Sequence, residues 1–313
     1  MNQPPSNRVG SAGRGLWREG FVLGATLVLS VLLVALVVFA PASFNNYGYN
    51  NPGGVRGYTQ AIAEYFANLL RGQLTTARGN AQAWRLLLES ARRTLGLLGV
   101  SLLAAIPLGL AWTGLIASPR WRRLRPALLA LNTLVLSLPA VAILLLSAEM
   151  VANFTFRTGI QLTYVQGYGF DRHLILPAGT LALRGAAAMA YALAIAQEDI
   201  LRQEWIRAAR ARGLGGLQLW WRHIMPALRL PTVGILLSML RQMVSSIIIV
   251  EYVYGWNGMG RRMLDYDVSA INRPENAVAL TSAVILVTLF VLVDSLGRIA
   301  LRYADPRLRE RES

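Results

Sequence analysis

Blocks of about twenty apolar residues alternate with short polar segments along most of this chain. The blocks run Phe21 to Ala40, about Thr94 to Ile116, Ala127 to Ala148, about Leu174 to Ala196, Thr232 to Val253, and Ala277 to Ala300. A helix rising 1.5 Å per residue needs about 20 residues to cross roughly 30 Å of hydrocarbon, so each block predicts a span. The fold class expected is therefore all-α: a polytopic membrane protein with six transmembrane helices. Pro107 and Pro139 fall inside the second and third blocks and predict kinks. The expected organisation is a tail (1–19), a first transmembrane helix (20–40), an external segment (41–91), a transmembrane domain (92–303) and a second tail (304–313). The external segment carries a short amphipathic pattern (Ile62, Phe66, Leu69, Leu70) suited to lying against a membrane. Ala40-Pro41-Ala42 invites a cleavage-site reading. The apolar run is longer than a secretory h-region and the proline disfavours cleavage, so an uncleaved helix is expected.

One polar stretch, 198–231, separates the fourth and fifth blocks and reads as a helical hairpin. Residues three and four apart share a helix face, so Trp205, Ala208, Ala209 and Arg212 form one stripe, with Arg207 and Arg210 beside it. Paired alanines allow a partner surface close to the backbone. Gly213 is a natural C-cap, because glycine accepts the left-handed conformation that ends helices. Leu217, Trp220, Trp221 and Ile224 then recur at the spacing of a second amphipathic helix, and its tryptophans suit a membrane–water interface.

Charge orients this picture. The net charge is +15, the chain contains no lysine, and the arginines cluster in the segments 1–19, 118–126, 198–231 and after 300. Placing those segments on one side of a six-span topology puts both termini in the cytoplasm, as the positive-inside rule requires. This accounts for the basicity without nucleic acid. A phosphate-cradling loop needs Gly-Lys-Ser/Thr, so this chain carries no Walker-type ATPase site. The absence of cysteine excludes disulfides and thiolate chemistry. Asp265, Asp267 and Glu275 read as a solvated surface and not a metal site, and His173 and His223 are separated by a span. No catalytic constellation, cofactor site or metal site is expected. Arg184, Arg241 and Glu251 lie in or at the edges of apolar blocks, where an ionisable group faces a water-filled path or a protein partner.

The run Arg207-Ala208-Ala209, three residues, Gly213, nine residues, His223, one residue, Met225-Pro226 resembles the EAA loop of binding-protein-dependent ABC importers. Arg207 replaces the loop's Glu, His223 its Ile and Met225 its Leu. The phrase from Trp205 to Leu214, with His223 downstream, is similar to the dipeptide/oligopeptide branch, B-type subunit, which commonly lacks that Glu. Two later stretches extend the resemblance. Val250-Glu251-Tyr252-Val253-Tyr254-Gly255-Trp256-Asn257-Gly258-Met259-Gly260 resembles the family's Val-Glu-x-x-Phe-x-x-Pro-Gly-x-Gly segment, and Asp305-Pro306-Arg307-Leu308-Arg309 resembles its Asp-Pro-Arg-x-Arg ending.

The resemblance implies a permease subunit in a bacterial-type inner membrane. It also implies a second homologous permease, two cytoplasmic ATPase subunits that carry ATP and magnesium, and an external solute-binding protein. Trp205, Arg207, Ala208, Ala209, Arg212, Gly213, His223, Met225 and Pro226 would then couple the chain to an ATPase. Arg241, Glu251 and Arg184 would be candidates to line the pathway, an arginine at mid-depth being suited to a substrate carboxylate. Peptides are the expected substrate, with nickel chelates, glutathione, opines and oligosaccharides as family alternatives. An ATP-independent secondary transporter or channel is the rival reading; it would favour an inverted repeat, which the sequence lacks.

Overall fold

The computed structural model describes residues 20–37, 54–74, 77–118, 121–214, 216–265 and 274–304. The expectations for 1–19, Ala40-Pro41-Ala42, Asp267 and the Asp305–Arg309 ending lie outside these residues. Among the described residues all regular structure is helical. The helices are α1 (Gly20–Val37), α2 (Gly54–Leu70), α3 (Ala77–Ala117), α4 (Arg125–Ser137), α5 (Ala140–Thr158) and α6 (Ile175–Leu201). They continue with α7 (Glu204–Ala211), α8 (Gly216–Leu219), α9 (Met225–Val253), α10 (Met259–Leu264) and α11 (Pro274–Ala304). Among the described residues, six stretches are long and apolar enough to cross a membrane: Gly20–Val37, Gly79–Ala117, Ala140–Thr158, Arg172–Leu201, Trp220–Val253 and Asn276–Ile299.

The described residues form two compact units, those within 1–86 together with those from 265 onward, and those within 87–264. In the first, the Tyr65 and Thr281 hydroxyls share a hydrogen bond of 3.1 Å, joining α2 to α11. The Gly72 carbonyl accepts from Trp84 Nε1 (3.0 Å) and Asn80 Nδ2 (3.3 Å), which ties the turn after α2 to the start of α3. Of the amphipathic pattern in α2, Ile62, Phe66 and Leu69 are half-buried and Leu70 is exposed.

In the second unit α6 packs against α4, α5 and α9. Its buried positions are mostly small (Ala178, Ala182, Gly185, Ala186, Ala187, Ala190), so neighbouring backbones approach closely, as membrane helix interfaces require. Met239, Met243 and Ile247 of α9 are buried too.

The third block departs from expectation. The single kinked span over Ala127–Ala148 is two helices, and α5 continues past the end of that block to Thr158. Proline disfavours the helical conformation in the residue before it. Leu138 is accordingly extended (φ −68°, ψ 135°), and α5 restarts after Pro139.

Beyond α9 the chain is pinned by a buried carboxylate. Glu251, in the last turn of α9, is 0% exposed. Its Oε1 accepts the Thr94 hydroxyl of α3 at 2.6 Å, and its Oε2 accepts the backbone N–H groups of Gly260 (2.6 Å) and Arg261 (3.2 Å). Thr94 Oγ1 in turn accepts the N–H of Met259 at 2.8 Å. One hydroxyl and one carboxylate thus satisfy the free donors that begin α10. Trp256 Nε1 donates to the Arg93 carbonyl (3.2 Å), and Arg93 donates to the Asn257 carbonyl (3.3 Å) while lying 4.2 Å over the Tyr168 ring. There is no room for larger residues here. A Cβ on Gly258 would overlap the Glu251 carboxylate, and one on Gly260 would sit 2.6 Å from Ile248 Cα.

Because that clash is with backbone, Gly260→Ala is expected to destabilise the protein by about 1–3 kcal/mol. Gly114→Ala, inside α3 at a position with open space around it, is expected to keep or slightly raise stability. Thermal unfolding of the detergent-purified variants checks the pair; equal midpoints would show that the pin does not hold the fold.

Candidate functional site

The hairpin between α6 and α9 is a small folded body with its own core. α7 follows α6 after Arg202 and Gln203, then ends at Gly213, whose φ is +80°. The Leu214 N–H bonds the Ala209 carbonyl (3.2 Å) and the Gly213 N–H bonds the Arg210 carbonyl (2.9 Å). These two bonds form a Schellman stop, and a side chain there would be strained. Leu214 then folds back onto the buried group Ile206, Ala209, Leu219 and Ile224, with Leu201, Trp220 and Leu228 packed around it.

Ile206 and Ala209 point inward and are 0% and 2% exposed. At about 100° per residue, the inward direction lies about 80° around the helix from the centre of the expected stripe. The structure therefore divides that stripe. Ala209 belongs to the hairpin core, while Trp205, Ala208 and Arg212 are exposed. The outward face is made by Glu204, Arg207, Ala208 and Ala211, with Arg207 held 3.2 Å from Glu204. Ala211, which shares this small-residue face one turn from Ala208, was not singled out from the sequence; its spacing from Ala208 is the signal that would have found it.

The second amphipathic helix is not a separate element. α8 has four residues, and Trp220–Ile224 widens into one π turn, closed by the Met225 N–H on the Trp220 carbonyl, which runs into α9. Pro226 supplies a reason: it has no N–H for the Arg222 carbonyl, and its ring crowds that carbonyl outward. The fifth apolar stretch accordingly begins at Trp220, not Thr232. Trp221 is exposed, Trp220 is half-buried, and the two rings meet edge to face at 5.1 Å. His223 is half-buried with its ring 6.1 Å from that of Trp205, and Met225 and Pro226 are exposed. At the foot of the hairpin, Glu198 pairs with Arg202 (3.0 Å) and with Arg125 at the start of α4 (3.4 Å).

The three ionisable residues of the spans have different surroundings. Glu251 is enclosed by its own chain, so in this structure it fastens α10 and does not face an open path. Arg184 donates from Nη1 to the Leu138 carbonyl at 2.8 Å, so it reaches from α6 to the α4–α5 break. Its Nε is buried with no hydrogen-bond partner. Arg241 is half-buried and donates to Ser238 Oγ at 3.0 Å. His173 lies outside this group. Asp171 accepts its backbone N–H (2.9 Å) and faces its Nδ1 (2.7 Å), and that backbone bond foremost holds the Asp171 carboxyl below its usual range. Among the described residues, no three His, Asp or Glu side chains gather as a metal site.

Six apolar stretches and an arginine-flanked hairpin between two of them define the class: a multi-span helical membrane protein with a polar knob outside its spans. The chain belongs to the family described as binding-protein-dependent transport system inner membrane component, which it matches over residues 105–310. That range holds the hairpin, Arg184, Arg241 and Glu251. The chain is 26% identical over 271 residues to the oligopeptide transport system permease protein AppB of Bacillus subtilis, covering 84% of this chain and 82% of that one. It is 31% identical over 195 residues to the oligopeptide transport system permease protein OppB of Mycobacterium tuberculosis, covering 57% and 58%. It is also 28% identical over 138 residues to the di/tripeptide transport system permease protein DppB of Pseudomonas aeruginosa, covering 44% and 40%.

The two faces of α7 make a paired prediction. Ala209→Glu forces a charge into the hairpin core, which costs several kcal/mol. It is expected to open α7 to trypsin at Arg207, Arg210 and Arg212. Ala208→Glu, on the outer face, leaves cleavage at the wild-type rate. Limited proteolysis of the purified proteins reads both; equal cleavage would refute the assignment of faces.

Proposed function

We propose that this inner membrane transport component forms half of the translocation pathway of an ATP-driven importer, and that its 198–231 hairpin is the docking knob for an ATPase subunit. The observation that carries this reading is the division of α7. One side seals a private core, and the other presents Ala208 and Ala211 among arginines, a face that a groove can approach closely. Attraction of basic residues to anionic lipid, worth about 1 kcal/mol each, would account for the charge but not for a rigid Schellman-stopped turn and a small-residue face. ATP and magnesium belong in this reading to two cytoplasmic ATPase partners, since the chain has no lysine for a phosphate-binding loop.

A second, homologous permease completes the pathway, and an external solute-binding protein delivers the substrate. Peptides are the substrate class, in keeping with the names of the similar permeases. The hairpin end then faces the cytoplasm, with both termini on that side, and the Glu251 pin lies near the outer surface.

The test is co-purification with candidate ATPase subunits, followed by ATP turnover. Wild type captures them, and Ala208→Glu weakens capture by about tenfold or more, equivalent to 1.4 kcal/mol, while remaining in the membrane. Gly213→Pro, which cannot adopt the +80° turn, does the same by deforming the knob. Undiminished capture by both variants would remove the hairpin from the coupling role. Solute uptake that needs no ATP would establish the secondary-transporter reading instead.

A further inference from the structure

Beside the α4–α5 break lies a small opening, lined mostly by apolar residues (Ile143, Leu144, Leu181, Val250) with a few polar groups among them. This partly open cleft of about 10 Å³, room for about one water-sized group, lies between α5, α6 and α9, bordered also by Ala140, Thr180, Arg184, Gln242, Met243 and Ser246. Arg184 is its one ionisable lining residue. One guanidinium nitrogen is spent on the Leu138 carbonyl, and Nε is buried and unpartnered. The start of α5 borders the same space through Ala140 and has no side-chain cap, so the positive end of a 19-residue helix adds to the charge of Arg184. Gln242 and Ser246 supply amide and hydroxyl donors from α9. Thr180 is already engaged with the Leu176 and Pro177 carbonyls, both at 3.0 Å. Among the described residues no carboxylate lines the cleft: Glu251, next after the lining residue Val250, turns its oxygens to Thr94 and α10. Broken helices at membrane depth are tolerated where they line a cavity, and in transporters their ends meet charged ligand groups.

We propose that this cleft is a carboxylate-binding subsite, with Arg184 as its cation and Gln242 and Ser246 as flanking donors. Its ligand is the terminal or side-chain carboxylate of a peptide in transit. The identity of the ligand rests on the importer reading; the anion site itself does not. Arg184 thus has two jobs, bracing the break through Leu138 and presenting its remaining donors to the substrate.

The test uses the full chain in phosphatidylcholine nanodiscs, with trialanine and trialanine amide as probes. In wild type the carboxylate peptide raises the thermal midpoint more than the amide, and the dose needed differs by about tenfold. Arg184→Gln abolishes that difference and Arg184→Lys retains part of it. Should Arg184→Gln fail to fold, Gln242→Leu is read instead, since it leaves the Leu138 bond intact and must shrink the difference. Equal responses to the two peptides in wild type would overturn the subsite, as would a difference that survives Arg184→Gln, or Gln242→Leu where that variant is read. A chain that shows the carboxylate-dependent shift but captures no ATPase would overturn the importer reading alone. One that captures the ATPase and shows no shift would overturn the subsite alone.

Discussion

Inside hydrocarbon there is no water to take up a free backbone group, and most features of this structure answer that constraint. An uninterrupted helix satisfies it by itself; each interruption needs a partner brought from elsewhere. At the α4–α5 break the partner is the Arg184 guanidinium on the Leu138 carbonyl. At the start of α10 it is the Glu251 carboxylate together with the Thr94 hydroxyl. Where α8 runs into α9, the chain resolves the missing Pro226 donor by widening one turn. The charges within the spans that first look like functional extravagances are thus in part structural necessities. Arg184 is only partly spent on that duty, since beside its bond to Leu138 the buried Nε has no hydrogen-bond partner.

The hairpin obeys a different logic, being polar outside and small. Eight residues of α7 would not hold a helix alone in water. Its order comes from the Schellman stop and from the patch of Ile206, Ala209, Leu219 and Ile224. Because that patch includes residues of α7, α8 and the π turn, and Leu201 and Leu228 pack on it, the knob is joined to α6 and α9 by apolar contact as well as by the chain. A push on α7 is therefore a push on both helices.

Six spans were legible because twenty apolar residues in a row have few other fates. Gly213 was legible as a stop for a similarly local reason. What escaped the sequence were the long-range pairings and the neutral residues. Pro139 announced a disturbance, but separating a kink from a complete break required the donor on α6, 46 positions away. Glu251 announced itself as a charge at the edge of a block; its partners are a threonine 157 positions earlier and two backbone amides, which carry no side-chain signature. The face of α7 was misjudged because alanine is indifferent to burial. Its inward direction is set by Ile206 together with leucines beyond the helix, and these cannot be placed until the turn is folded.

These pieces bear on how movement can pass through the chain. α9 has 29 residues, about 43 Å of continuous helix, and both of its ends are fastened. At one end the hairpin core grips it through Ile224 and Leu228; at the other, Glu251 and Tyr254 tie it to α10, to Thr94 of α3, and to Leu144 and Ser147 of α5. Pro231 near the hairpin end is the one interior site lacking a backbone donor, so bending is easiest there. In the proposed coupling, a displacement entering at the hairpin would pass along the stiff remainder, beside the cleft of Arg184, Gln242 and Ser246, to the pinned segment after α9. Since Gln242 and Ser246 ride on α9 while Arg184 rides on α6, relative motion of the two helices changes the spacing of the donors around the cleft. The fold thereby joins the 198–231 hairpin, through α9, to the cleft that Arg184 lines.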